Sequence, residues 1–338
     1  MLTQTFADFG LTPDVSLDVM APNQSLSGLS SALFKEVDSF LTEQKPDIVL
    51  VQGDTTTVQV ASLAAFYARI PVGHIEAGLR TWDINTPFPE ELNRRVTGLV
   101  SRWHFAPTQL ARANLLRDQV ADTQIFVTGN TVVDALLYTL EAARRNPPAL
   151  SARVEEAIAQ KREIVLVTGH RRESFGRGIQ DICQALRRIA LTLPESRVIY
   201  PVHLNPNVRG PVFDALRDVP NVYLEEPLPH KAFVRLMEAS KLILSDSGGV
   251  QEEGPTLGKP VLIMRDVTER PEGVESGVNM LVGTGEESIA SNTLRLMTNE
   301  FAYAAMAAKP NPYGDGRAAE RICNTLRCGM CQQHREAA

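Results

Sequence analysis

The nine residues Ser245-Asp246-Ser247-Gly248-Gly249-Val250-Gln251-Glu252-Glu253 are the most specific chemical feature of this sequence. They follow a short apolar run, Lys241 to Leu244, and lead into a helix expected from Val250 to Leu257. Glycine lets backbone approach a ligand closely, and the first helical turn presents unpaired N–H groups and a partial positive charge. That arrangement suits a diphosphate, and either Glu252 or Glu253 could hold a ribose. A plain strand-to-helix turn would use the same residues, so the reading depends on what accompanies it.

Three acidic residues accompany it: Asp54 after one apolar run, Glu76 after the next, and Glu90 at a helix start. In a parallel sheet consecutive strand ends share one edge, which places Asp54 and Glu76 on a common face. Carboxylates pooled in a partly desolvated site separate into acid and base forms according to their surroundings. Glu90 also fits a simple helix N-terminal charge. Further on lie Gly169-His170-Arg171-Arg172-Glu173 and Thr268-Glu269-Arg270-Pro271-Glu272. A histidine beside two arginines suggests phosphate binding or proton transfer. A solvated arginine pair at a helix start would oppose the helix dipole.

The elements that position these residues alternate. Near-continuous apolar runs at Asp47–Gln52, Val72–Ile75, Trp103–Ala106 and Ile125–Val127 are expected to be parallel strands buried on both faces. Helices are expected at Leu29–Leu41, from Gly53-Asp-Thr-Thr-Thr57 to Tyr67, and at Pro87–Val100; residues 1–9 are read as a helix end closed by Gly10. Composition turns to Arg-Arg-Asn-Pro-Pro-Ala near Arg144–Ala149, which marks a domain boundary. A second series of strands follows at Glu163–Val167, Arg197–Tyr200, Asn221–Leu224, Lys241–Leu244, Val261–Met264 and Asn279–Val282, with a last helix from about Arg317. The alternation predicts an α/β chain of two doubly wound Rossmann-like domains, 1–146 and 150–316, with a ligand cleft between them at the carboxyl ends of the strands.

Composition narrows the function. A length of 338 residues is too great for one ordinary doubly wound domain, and a net charge of −6 argues against nucleic acid as a partner. No apolar run approaches the roughly 20 residues of a membrane span, and the first residues lack the pattern of a signal peptide, so a cytoplasmic location with reduced cysteines is expected. Gly-x-Gly-x-x-Gly after a strand, the phosphate-loop lysine motif and Gly-x-Ser-x-Gly are all absent, so a nicotinamide cofactor, an ordinary nucleoside-triphosphatase and a serine hydrolase are not indicated. The tail Cys323, Cys328, Cys331 and His334 lacks a second Cys-x2-Cys pair and is read as a loose reduced tail rather than a zinc site.

With these residues in view, the sequence resembles the non-hydrolysing UDP-N-acetylglucosamine 2-epimerases. The matching stretches are Gly53–Thr57, Pro71–Thr81, Pro89–Arg94, Gly129–Asp134, Val167–Gly176, Tyr200–Asn207, Ser245–Glu253, Arg265–Glu272 and Asn311–Gly316. The resemblance implies the phosphorylase-like glycosyltransferase (GT-B) architecture, with 317–338 crossing back onto the first domain, no cofactor, no metal and a homodimer. It also implies that Ser247, Gly248 and Gly249 hold the phosphates, Glu253 the ribose, Arg270 the diphosphate and Phe233 the uracil. Asp54, Glu76, Glu90 and His170 match catalytic positions. Arg171 and His203 match positions that, in bacterial members, help bind a second, activating UDP-N-acetylglucosamine.

The implied chemistry is reversible inversion at C2 of UDP-N-acetylglucosamine, giving UDP-N-acetylmannosamine for cell-surface polysaccharide. UDP leaves C1 first, C2–H is then lost to give 2-acetamidoglucal, and UDP re-adds with protonation from the other face. A retaining glycosyltransferase of the same fold, a UDP-sugar-binding remnant without chemistry, and a hydrolysing epimerase are the alternatives. The sequence departs from the family in lacking the opening strand, its Gly-Thr-Arg-Pro-Glu loop, the lysine-bearing helix and the early Gln-His-Arg-Glu stretch. Leu228 stands where the family often has Gln. The first domain is therefore expected to be incomplete, without its opening strand–helix–strand, and the chain as written to be nearly inactive.

Overall fold

The computed structural model describes Phe6 and residues 9–171 and 174–336, with side chains as far as Gly329. The helix end expected over residues 1–9 (Phe6 and Phe9 apart), Arg172, Glu173 and the side chains of Cys331 and His334 lie outside the described residues. The chain divides into two compact units, one of residues 10–134 with 313–338 and one of residues 135–312 with Phe9.

The first unit carries a parallel sheet in the order β1 (Val49–Gln52), β2 (Val72–Ile75), β3 (Trp103–Ala106) and β4 (Ile125–Val127). Register pairs Gln52 with Ile75 and His74 with His104, so the carboxyl ends of β1 and β2 lie side by side. Its helices are α1 (Leu26–Gln44), α2 (Thr56–Tyr67), α3 (Glu90–Val100), α4 (Gln109–Arg117) and the start of α5 (Thr131–Arg145). Local chemistry sets their starts: the Ser25, Thr55 and Thr108 side chains accept from backbone N–H groups three residues on. α3 begins at Glu90 rather than at the expected Pro87. Pro87 and Pro89 have no N–H, and the residue before a proline is pushed out of the helical region, so the helix starts only past the second proline.

The last helix, α14 (Ala318–Glu336), packs Ile322 and Leu326 on Trp103 and Phe105 of β3. Its first turn is held by Asp134, whose carboxylate accepts from the N–H groups of Ala318 and Ala319.

The second unit is a six-stranded parallel sheet in the order β10-β9-β8-β5-β6-β7. Its strands are β5 (Ile164–Thr168), β6 (Arg197–Pro201), β7 (Val222–Glu225), β8 (Leu242–Ser245), β9 (Val261–Ile263) and β10 (Asn279–Leu281). Its helices are α6 (Ala152–Ala159), α7 (Arg177–Thr192), α8 (Pro206–Leu216), α9 (His230–Ala239), α10 (Gly248–Thr256), α11 (Pro271–Glu275), α12 (Glu286–Thr298) and α13 (Glu300–Ala307). Val165, Leu166, Leu242, Ile243, Leu244, Val261 and Leu262 are wholly buried, as strands covered on both faces require. Among the described residues no helix is long and apolar enough to cross a membrane.

Candidate active site

In the second unit the strand order reverses at β5. The chain leaves β5 toward β6 on one side, and β8 returns on the other. Loops leaving the carboxyl ends of two such strands diverge and open a crevice, the place where parallel α/β sheets take ligands. The two loops are Gly169-His170-Arg171 and Asp246-Ser247. They are pinned to each other at their base. The Thr168 and Ser245 hydroxyls lie 2.7 Å apart, and Asp246 Oδ2 accepts from the N–H groups of His170 (2.7 Å) and Arg171 (2.8 Å). The buried Tyr200 hydroxyl donates to the Gly169 carbonyl at 2.9 Å. Burial first, and then the nearby Asp246 charge, push the Tyr200 phenol well above its usual range.

Both glycines of the Ser247-Gly248-Gly249 sequence are already helical, so α10 starts two residues before the expected Val250. Ser247 stands at the N-cap but its side chain makes no capping bond, which leaves the first-turn N–H groups open to an anion. Gly248 lets the Arg270 guanidinium lie close: a Cβ there would be 2.6 Å from Arg270 Nη1 and would make that group shift. Arg270 lies across this helix start. Its Nε donates to the buried Glu252 at 2.5 Å and its Nη1 to Glu269 at 3.1 Å. Glu252, a candidate for the ribose, is thus bound to Arg270. Glu269 also accepts from Arg171 (3.3 Å) and Arg265 (2.8 Å), so one carboxylate gathers three guanidinium groups. Burial pushes that carboxyl up, but its own backbone N–H, the Arg265 charge and hydrogen bond and the Arg270 charge outweigh burial and hold it at about 2.

The other expected residues of this unit lie around the same crevice mouth or on the helices beside it. His170 is partly exposed, with its ring stacked on His203 at 5.4 Å between centroids. Glu253 is on α10, 3.7 Å from His230 Nε2 at the start of α9. Phe233, one turn along α9, is half-buried against the core that includes Val250.

The first unit has carboxylates at its own strand ends. Asp54 follows β1, and its side chain is held by Arg94 Nη2 at 2.6 Å while Asn93 Nδ2 donates to its carbonyl at 2.8 Å. Arg94 is braced in turn by Glu91, which is wholly buried and also accepts from the N–H groups of Thr81 and Trp82. Asn93 and Arg94 sit one turn after Glu90, so the structure ties Glu90's helix to Asp54. Glu76 follows β2 in the left-handed region, φ 64°, which is strained for a side chain with a Cβ. It accepts from Asn130 Nδ2 at 3.2 Å. Gly53 has φ 80°, and a Cβ there would meet Glu76 Oε2 at 3.3 Å, which puts the two loop ends in contact. His74 Nε2–H donates to the Gly53 carbonyl at 2.8 Å from full burial. Burial pulls its pKa to about 3, against that hydrogen bond, and the charges of His104, Arg80 and Arg94 add to the fall.

Arg94, Asn93, Glu91, His74, Asp246 and Glu269 were not singled out from the sequence as site residues. A signal existed for all six, since Glu91, Asn93 and Arg94 lie within the matched stretch Pro89–Arg94, His74 within Pro71–Thr81, Asp246 within Ser245–Glu253 and Glu269 within Arg265–Glu272. Among the described residues no group of three or more His, Cys, Asp or Glu side chains is placed to hold a metal ion.

A diphosphate-type helix start ringed by arginines in one unit, and carboxylates fixed at adjoining strand ends in the other, is the setting for comparison with known proteins. The family model described as UDP-N-acetylglucosamine 2-epimerase matches residues 1–327. The chain belongs to the UDP-N-acetylglucosamine 2-epimerase family. The UDP-N-acetylglucosamine 2-epimerase of Escherichia coli (strain K12) is 51% identical over 329 residues, 97% of this chain and 88% of that protein. The crystal structure of UDP-GlcNAc 2-epimerase from Neisseria meningitidis bound to UDP-GlcNAc superposes with a TM-score of 0.85 at 45% identity, covering 96% of this chain and 88% of that one. A co-structure of S. aureus MnaA with UDP gives a TM-score of 0.88 at 37% identity over 98% of this chain and 87% of that one. Two parallel-sheet units and these likenesses place this epimerase-family chain in the GT-B-like class.

Proposed function

We propose that this protein interconverts UDP-N-acetylglucosamine and UDP-N-acetylmannosamine by the non-hydrolysing route. The observation that carries the reading is the second unit's strand reversal point, where an uncapped helix N-terminus meets the Arg270 guanidinium. A departing UDP places its new negative charge on the diphosphate, which such a site stabilises as the C1–O bond breaks. Ser247, Gly248 and Gly249 bind the phosphates with Arg270, Glu253 the ribose and Phe233 the uracil.

The proton on C2 is not adjacent to a carbonyl, so its direct removal would leave an unstabilised carbanion. Loss of UDP with the bonding electron pair puts cationic character on C1 and acidifies C2–H. A base then takes that proton, and the electrons of the C2–H bond form the C1–C2 double bond of 2-acetamidoglucal. On return, a proton is delivered to the opposite face of C2 and the diphosphate oxygen re-forms the bond to C1. Asp54, Glu76, Glu90 and His170 are the groups for these proton transfers and for the developing cation, help of a kind worth about 10²–10⁴-fold. The neighbouring Asp54 and Glu76, each with its own hydrogen-bond donor, support a division of labour between two carboxylates. Arg171 and His203, beside His170, are the contacts for a second, activating UDP-N-acetylglucosamine.

The test is turnover of UDP-N-acetylglucosamine in D2O. The expected products are both UDP-sugars with deuterium at C2. Epimer without C2 deuterium would exclude this route, and release of free N-acetylmannosamine as the main product would point to the hydrolysing kind.

A further inference from the structure

One buried charge in the second unit has a function left over. The Asp246 side chain is 1% exposed, and its Oδ2 satisfies both backbone N–H groups of the His170–Arg171 loop. Its Oδ1 is equally buried and, among the described residues, has no hydrogen-bond partner. A carboxylate oxygen in that state carries a desolvation penalty that a loop cap does not explain, because Oδ2 alone makes the cap. His170 Nδ1 lies 3.4 Å from Oδ1, just too far for a good bond. The loop that carries the histidine is fixed by Asp246 and Tyr200, so a small turn of the half-exposed ring brings the two atoms into range.

We propose that Asp246 is the positioning residue for His170: its Oδ1 accepts the Nδ1–H, selects that tautomer, and leaves the bare Nε2 facing outward as the proton acceptor. The partner of one imidazole nitrogen decides what the other can do. His203, stacked on the same ring, limits its swing to the ring plane and so keeps Nε2 on a fixed bearing. The proposal rests on the reading of His170 as a group acting on the UDP-sugar, but the contact itself can be tested apart from it.

The test is Asp246→Asn in the full chain. The amide oxygen retains the cap on His170 and Arg171. The amide NH2 replaces Oδ1 and can only donate, so it demands an unprotonated Nδ1 and forces the Nε2–H tautomer. Long-range 1H–15N spectra of histidine-labelled protein at about pH 8.5, two units above the ordinary imidazole value, read the tautomer directly, with His170 assigned by its loss in His170→Gln. The expected result is Nδ1–H in the unaltered protein and Nε2–H in the variant. With it should come a fall in kcat of about 10-fold or more at a KM changed by less than about 2-fold, the split expected of a misdirected proton acceptor. An Nε2–H tautomer in the unaltered protein overturns the proposal, and that measurement holds even if the variant does not fold. So does a variant with unchanged kcat and unchanged tautomer. Absence of C2 exchange in the unaltered protein would instead strike the functional reading, and the tautomer would still decide the contact.

Discussion

Gly248→Ala separates binding from folding. The new methyl would lie 2.6 Å from Arg270 Nη1 and 3.0 Å from its Cζ, where ordinary contact begins at 3.4 Å, so the guanidinium must withdraw by about 0.8 Å. That movement pulls Arg270 off the helix start while α10 itself gains, since alanine is favoured over glycine in a helix by up to roughly 1 kcal/mol. If Arg270 contacts the diphosphate, losing one charge-assisted hydrogen bond costs about 1.5–3 kcal/mol. At 1.4 kcal/mol per decade, UDP affinity should fall about 10-fold or more. Titration calorimetry with UDP, paired with thermal melts, reads both quantities, and they should move in opposite directions: weaker binding, equal or higher Tm. Arg270→Ala sets the floor, and Gly248→Ala placed on top of it should cost nothing further if the two act through one contact. Unchanged UDP affinity in Gly248→Ala, or full additivity of the two changes, would refute the idea that this glycine exists to seat Arg270 against the ligand.

Other expectations follow from the carboxylates and the buried rings. Glu76→Gln keeps an acceptor for Asn130 and should leave UDP affinity within about 2-fold while lowering C2 deuterium exchange by about 100-fold, within the range of acid–base catalysis; exchange at the unaltered rate would remove Glu76 from the chemistry. His74 and His104 face each other across β2 and β3, and burial lowers them to about 3 and about 4. Between those values and the ordinary 6.5 the unfolded chain binds more protons than the folded one, so stability falls as pH falls. From pH 7 to pH 5 each ring should cost roughly 2 kcal/mol, visible as a falling Tm, and His104→Phe should flatten the slope by about half; an unaltered slope would mean that His104 is not the titrating group.

The strands were legible because parallel strands buried on both faces must be apolar nearly throughout. β2, β3 and β4 are found at the expected residues and the strands of the second unit shift by one residue, but β1 starts at Val49 rather than Asp47 and, with Leu50 exposed, is not covered on both faces as expected. Helix starts were harder where two chemistries compete. At Pro87 and Pro89 an acidic first turn signals an early start, but backbone sterics delay it to Glu90. At Gly248 and Gly249 low helix propensity signals a late start, yet the helix begins at Gly248.

Of the candidate site, the residues legible in the sequence are those at strand ends and a helix start, and the ones missed are those whose role is to hold other residues. Asp54 and Glu76 stand at adjoining strand ends of the first unit's sheet, where topology alone brings them to one edge, and His170 stands at a strand end of the second unit's own sheet. Arg94, Glu91, Asp246 and Glu269 do their work through contacts whose partners lie from 1 to 98 positions away in the chain. No spacing rule reaches the contacts 40, 75 and 98 positions away, and each of these residues taken alone looks like an ordinary helix or loop charge. Their burial is what distinguishes them: Glu91 is wholly buried and Asp246 nearly so. A charge is kept in such a place only if it is paired and hydrogen-bonded, and its removal strands a partner. Substitutions at Glu91 or Asp246 are therefore expected to misplace Asp54 or His170 as well as to remove a charge. The same burial that hides these residues from a sequence reading makes them the frame that holds the reactive groups.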